Sequence, residues 1–272
     1  AYDPLYENVE VSDCHLIGAA YNAVEMNPDS PHIGHVYKVN DNIIEHFGSA
    51  YLPWYAHPTF IGVGIEFGRA LDVEAKRNTI RNSELSTYTG TQYGGYAIYF
   101  MDYTGGTVED NTISDCIYGI TLNSVVEETW VNDNTITDCH RGILTMEVFA
   151  KLHIIDNSIT TRCDPLNPTS AKYKDEWGIL IGGDGDFYDS SPPYAWQVDN
   201  LQHEVSGNTI TGTSTTDSVG IGVVPGWYDK DYGASGTFTG NSISGYKYGI
   251  KVWGTHDPVS YTHLRAHETG RN

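Results

Sequence analysis

The stretch DNTISDCIYGI, Asp110 to Ile120, returns as DNTITDCHRGI, Asp133 to Ile143, with its spacing unchanged and most residues kept. The departure is confined to a few positions, chiefly Ile117-Tyr118, which become His140-Arg141. The same frame runs through the chain. An Asn opens a short β-branched run at Asn42, Asn78, Asn111, Asn134, Asn157, Asn208 and Asn241. Each is followed by a Gly-Ile or Ala-Ile segment: GIEF at Gly64, AIYF at Ala97, GITL at Gly119, GILT at Gly142, GILI at Gly178, GIGV at Gly220 and GIKV at Gly249. A weaker copy, VEVSDCHLIG, begins at Val9.

Side-chain parity turns this repeat into geometry. Residues an even number apart in a strand share a face, so an odd interval between two core positions requires a bend. Val131 to Ile136, Ile136 to Ile143 and Thr145 to Ile154 are all odd intervals, which makes three bends per repeat. Asp133-Asn134 at the first and Asp138 to Gly142 at the second suit bends, because Asp, Asn and Gly tolerate left-handed backbone and hydrogen-bond locally. Three short strands and three corners, renewed with each repeat, describe one coil of a β-solenoid. The leucine-rich pattern is missing, and β-branched content with period-two alternation excludes helical repeats.

The recurring N-[TS]-I then G-I-x-hydrophobic motif resembles the right-handed parallel β-helix repeat family, the pectin-lyase-like fold. The resemblance covers nearly the whole chain and implies an all-β, right-handed parallel β-helix of about eight coils with three short strands each. It implies no one activity, since the fold hosts lyases, hydrolases, epimerases, adhesins and non-catalytic proteins. One β-helix domain is expected over residues 1–256, truncated at one or both ends. The string Val259 to Thr269 is similar to the translated read-through of a sequencing adapter, so residues 257–272 are read as a non-native or disordered tail, with the native chain cut near Pro258. The His263, His267, Glu268 grouping in that tail is therefore not taken as a metal site.

Composition narrows the partners. With 35 acidic against 15 basic residues and a formal charge of −20, nucleic acid is excluded as a partner on electrostatic grounds. No apolar run is long enough for membrane insertion. A monomeric, exported protein is expected, located in the extracellular, cell-surface or periplasmic space, with polysaccharide as its partner. Cys14, Cys116 and Cys139 are read as sharing one corner, with Cys163 one residue later in its coil. Buried ladder thiols are expected there, and a Cys116–Cys139 bridge only if the corner permits disulfide geometry.

Insertions locate a candidate site. The interval from the Asn to the Gly-Ile segment is long from Asn42 and Asn78, short from Asn111 and Asn134, and long again from Asn157. This predicts a trough with walls at 46–62, 82–95 and 162–176 and a floor carrying Ile117-Tyr118 and His140-Arg141. The walls are rich in aromatic residues suited to stacking on sugars, Tyr51, Trp54, Tyr55, Tyr88, Tyr93, Tyr173 and Trp177; of these Trp54, Tyr55, Tyr88, Tyr93 and Tyr173, with Tyr118 of the floor, are the expected substrate contacts, and pinning the long loops is their competing role.

The candidate catalytic residues are His140, Arg141, Asp138 and Asp115. In β-elimination on a polyuronate, Arg141 would neutralise the substrate carboxylate and His140 or Tyr118 would take the proton. In glycoside hydrolysis, Asp115 and Asp138 would be the carboxylate pair. Both also occupy a turn position where Asp caps the bend by itself. An epimerase is a third option within the fold, and a non-catalytic, adhesin-like surface scaffold is the alternative class. Asp184, Asp186 and Asp189 offer oxygen ligands for Ca2+, although they match neither the EF-hand spacing nor the GGxGxD repeat.

Overall fold

The computed structural model describes residues 8–28, 36–48, 51–52, 59–60, 62–83, 95–162, 176–182, 201–213, 218–224 and 234–253. Within them the chain winds through three parallel sheets of eight strands each, one strand per sheet per coil. Coil 4 consists of Gly106–Glu109, Thr112–Ser114 and Tyr118–Val125, and coil 5 of Thr129–Asn132, Thr135–Cys139 and Arg141–Val148. Eight coils at the strand spacing make a rod of about 38 Å. One antiparallel pair, Tyr51–Leu52 with Thr59–Phe60, lies between the second and third strands of coil 2. The 257–272 tail, Cys163 and the loop residues Trp54, Tyr55, Tyr88, Tyr93 and Tyr173 lie outside the described residues, as do Asp184, Asp186 and Asp189.

The positions separated by odd intervals all pack inside. Val131, Ile136, Ile143, Thr145 and Ile154 are all buried, so each odd interval is spanned by a corner. Ile80, Ile113, Ile136, Ile159 and Ile210 stand in register on successive coils and stack in the interior. Each such side chain contributes roughly 1.5–3 kcal/mol on burial.

The first corner is held by a continuous amide ladder. Asn42, Asn78, Asn111, Asn134, Asn157, Asn208 and Asn241 each donate from Nδ2 to the next Oδ1, at 2.9–3.1 Å, until the run ends at Asn241. The same Oδ1 accepts the preceding Asn backbone N–H, and Nδ2 also reaches a strand carbonyl, so the buried amides are satisfied. The residue before each ladder position is left-handed: Asp41, Arg77, Asp110, Asp133, Asp156, Gly207 and Gly240.

Cys14 departs from its expected place. His15–Ile17 pairs in register with Ile43–Glu45, which sets Cys14 beside Asn42 and away from the corner of Cys116 and Cys139. Its N–H donates to Asn42 Oδ1 at 3.0 Å, and its thiol donates to the Ser12 carbonyl two residues back, as the ladder amides do. The copy VSDCHLIG misleads because Asp13 is the left-handed residue of the first corner, whereas Asp115 and Asp138 belong to the second. Cys116 and Cys139 are free and fully buried. Burial, and then the adjacent Cys139 thiol, push the Cys116 thiol well above its usual range.

Candidate functional site

The third sheet carries the site because of a parity break at its entrance. Ala97 and Ile98 are consecutive and both fully buried, so Tyr96 and Tyr99 share the outer face despite their odd separation. The same two-residue step recurs at Gly119-Ile120, Gly142-Ile143 and Gly178-Ile179. A Cβ on Gly142 would lie 2.4 Å from the Gly178 carbonyl oxygen and 2.6 Å from Ile159 Cγ2, which explains the glycine.

Two outer rows follow from the register. The first is Tyr96, Tyr118, Arg141 and Trp177 on coils 3 to 6. The second is Glu66, Tyr99, Thr121, Leu144 and Leu180 on coils 2 to 6. Tyr99 stacks on Tyr96 with ring centroids 4.7 Å apart, and Tyr96 stacks on Tyr118 at 4.5 Å. Arg141 continues the run: its Nη1 donates to the Tyr118 hydroxyl at 2.9 Å, and its guanidinium carbon lies 5.1 Å from the Tyr118 ring and 4.4 Å from the Trp177 ring. Tyr118 is buried, while Tyr96, Tyr99, Arg141 and Trp177 are partly exposed. Ile117, Leu144 and Leu180 complete an apolar cluster on this outer face.

The N-terminal end of the face is acidic. Glu66 is 8 % exposed and accepts from Asn22 Nδ2 at 2.9 Å. Burial first, then the Glu25 charge, with a smaller contribution from Asp102, raise its carboxyl from 4.5 to about 7. Burial also raises the Tyr99 phenol, helped by the charges of Glu66, Asp102 and Glu147 and opposed by the Asn123 amide, which donates to its hydroxyl at 3.4 Å. Glu147 is raised by burial while accepting from Ser124 Oγ at 3.1 Å. Thr121 is fully buried, and its hydroxyl has no hydrogen-bond partner.

The structure brings together only part of the set expected from sequence. Arg141, Tyr118 and Trp177 meet on the outer face. His140 sits half-buried at the second corner, just before the strand that carries Arg141. Asp115 and Asp138 hold the left-handed residue of that corner, with φ of 52° and 54°. Gly18, His46, Asn82 and Gly245 do the same on other coils, so the position answers to the backbone. The Asp115 carboxylate pairs with Arg162 at 3.2 Å. Glu66, Tyr99, Thr121 and Glu147 escaped the sequence reading. The signal for the first three lies in the x of G-I-x-hydrophobic, which alternation alone assigns to an ordinary solvated face.

Other faces hold less. On the outer side of the first sheet, His153 bridges Glu128 at 2.7 Å and Glu204 at 3.0 Å, with the Trp130 ring stacked on it at 5.2 Å. A cavity of about 470 Å3 nearby is lined by Asp72, Glu74, Glu127, Glu128 and Trp130. Among the described residues, no three His, Cys, Asp or Glu side chains stand close enough together to hold a metal ion.

A family model described as "Periplasmic copper-binding protein (NosD)" matches residues 61–175. No curated protein and no solved structure matches the chain. The matched region carries most of the outer rows, but among its described residues no cluster of three His, Cys, Asp or Glu side chains forms, so they do not offer the imidazole–thiolate set that copper favours. Nor is any helix among the described residues long and apolar enough to cross a membrane. The periplasmic family agrees with a location in the extracellular, cell-surface or periplasmic space. With three parallel eight-stranded sheets wound coil upon coil, and a match to a β-helix family over residues 61–175, the chain is a parallel β-helix of the kind its repeat resembles.

Proposed function

We propose that this exported β-helix protein binds polysaccharide along the outer face of its third sheet. The observation that carries the reading is the unbroken run Tyr96, Tyr118, Arg141, Trp177, held at stacking distances across four coils of the sheet. Aromatic faces favour the CH faces of sugars, and a repeat along the rod axis suits a ligand that is itself a repeating chain. Arg141, braced between two rings, orients Trp177 and holds a positive charge within the face.

A test is direct. Wild-type protein is titrated by calorimetry with polyuronate and neutral oligosaccharides, and Trp177→Ala is expected to weaken binding about tenfold or more, the worth of one lost stacking contact. Binding by that variant equal to wild type, with the fold intact by circular dichroism, removes the assigned face.

Polysaccharide processing is a second reading, favoured by one observation: a buried carboxyl titrating at about 7, as general acid–base chemistry requires. In that reading Glu66 joins Arg141 and His140 as the group exchanging the proton, while Asp115 and Asp138 shape the corner. Turnover is followed by unsaturated-product absorbance and by reducing ends. Activity retained in Glu66→Gln excludes Glu66 from the chemistry, and absence of turnover on every glycan leaves a non-catalytic binding scaffold.

A further inference from the structure

We propose that Thr121 is the centre of a subsite for an uncharged, hydroxyl-rich sugar unit, an assignment that rests on the polysaccharide reading and specifies which part of the face selects the sugar. The first observation is the unpartnered hydroxyl. Thr121 Oγ1 is fully buried on the outer side of the sheet, where a threonine lacking a hydrogen bond carries a desolvation cost with no structural return. Valine would fill the same space without that cost.

The neighbours supply the chemistry. In register, Thr121 stands between Tyr99 and Leu144; along its own strand the outer positions on either side are Tyr118 and Asn123. All four are uncharged. The Tyr99 hydroxyl meets the Asn123 amide at 3.4 Å, so the Tyr99 ring extends from its own coil across the position of Thr121. That ring is six-membered, bears one hydroxyl and stacks on Tyr96, which is the placement a pyranose unit would take. A bound sugar takes the place of the Tyr99 ring, stacks on Tyr96 and exchanges hydroxyl hydrogen bonds with Thr121 and Asn123.

Charge sets the sign of the selection. The acids near the subsite are Glu25 and Glu66 on the preceding coils, Asp102 after the Tyr99 strand and Glu147 on the following coil. Arg141, the cation of the face, is held on the following coil between Tyr118 and Trp177, so at the Thr121 position the acids set a negative potential that disfavours a uronate. An amino sugar would be drawn to the rim acids, yet at Thr121 it would find no anionic partner for a buried ammonium.

The experiment compares hexasaccharides by calorimetry: uncharged manno- and cello-hexaose, hexagalacturonate and hexameric chitosan. The expected result is that an uncharged hexaose binds tighter than the other two. Thr121→Val should then bind it about tenfold more weakly, one hydrogen bond to a sugar hydroxyl, while melting at the same or a higher temperature than wild type. Glu66→Gln should narrow the discrimination against hexagalacturonate. Tighter binding of hexagalacturonate or chitosan by wild type overturns the uncharged assignment. Unchanged affinity in Thr121→Val, alongside a loss in Trp177→Ala, overturns the subsite but leaves the binding face standing. No binding of any hexaose by wild type sinks the polysaccharide reading, and the subsite with it.

Discussion

Glu66 shows how a single side chain can be set against the fold that holds it. Its carboxyl titrates at about 7 in the folded chain against 4.5 ordinarily, because burial and the neighbouring Glu25 disfavour the anion. The native state therefore binds the proton more tightly than the unfolded chain. Stability from this group is complete below pH 4.5 and is lost as pH rises through 7. Glu147, raised by burial, acts with the same sign. Allowing for the part of the carboxyl still reached by solvent, the loss is roughly 2 kcal/mol. Urea denaturation at pH 5 and pH 8 should show wild type losing that much more than Glu66→Gln; equal losses would mean the carboxyl is not strained. Such a strained carboxyl is the reason Glu66 enters the proposed processing site.

The third strand of each coil is built around its entrance. Two consecutive inward residues, one of them Gly or Ala, rotate the outer rows into place and allow Tyr96 and Tyr99 to share a face. At Gly142 the backbone of the next coil approaches so closely that a methyl group would meet the Gly178 carbonyl oxygen at 2.4 Å and Ile159 at 2.6 Å. Gly142→Ala is expected to cost about 1–3 kcal/mol through overpacking, read as a lower urea midpoint with an unchanged slope. It should also weaken glycan binding, since the strand that carries Arg141 must shift. A variant as stable as wild type would show that the coils separate more easily than their packing implies.

Across the whole rod, stability is shared mainly between neighbouring coils, because each packs chiefly on the one before and the one after, with side-chain pairs such as Asp115–Arg162 and Thr161–Tyr246 reaching one coil further. The interior is uneven along its length. Core residues of coils 3 to 6, such as Ile80, Ile113, Ile136 and Ile159, are almost wholly shielded, whereas Val9, Val11 and Leu16 at one end and Phe238, Ile243, Ile250 and Val252 at the other are only partly buried. Amide hydrogen exchange should therefore be slowest in coils 3 to 6 and faster in coils 1 and 8. Uniform protection along the rod would show that the chain unfolds as a single unit. The row Tyr96, Tyr118, Arg141 and Trp177 lies on the coils expected to open least, which preorganises its stacking geometry for the proposed ligand.

The coil itself was legible in the amino-acid order, and for a local reason. Strand parity, the turn-forming residue before each Asn, most often Asp, and the recurring Asn at the corner are all short-range properties, so Val131, Ile136, Ile143 and Ile154 could be placed inside from their spacing alone. The walls of the expected trough, at 46–62, 82–95 and 162–176, lie mostly outside the described residues. What the order of residues could not reveal was which polar groups lose water. Glu66, Tyr99 and Thr121 lie on coils 2, 3 and 4, dozens of residues apart in the chain, and read singly as the solvent side of three ordinary strands. Stacking the coils brings them into one row, buries a carboxyl beside other acids and leaves a hydroxyl without a partner. Burial and electrostatic coupling depend on distance through space, and here that distance is set by the register between coils.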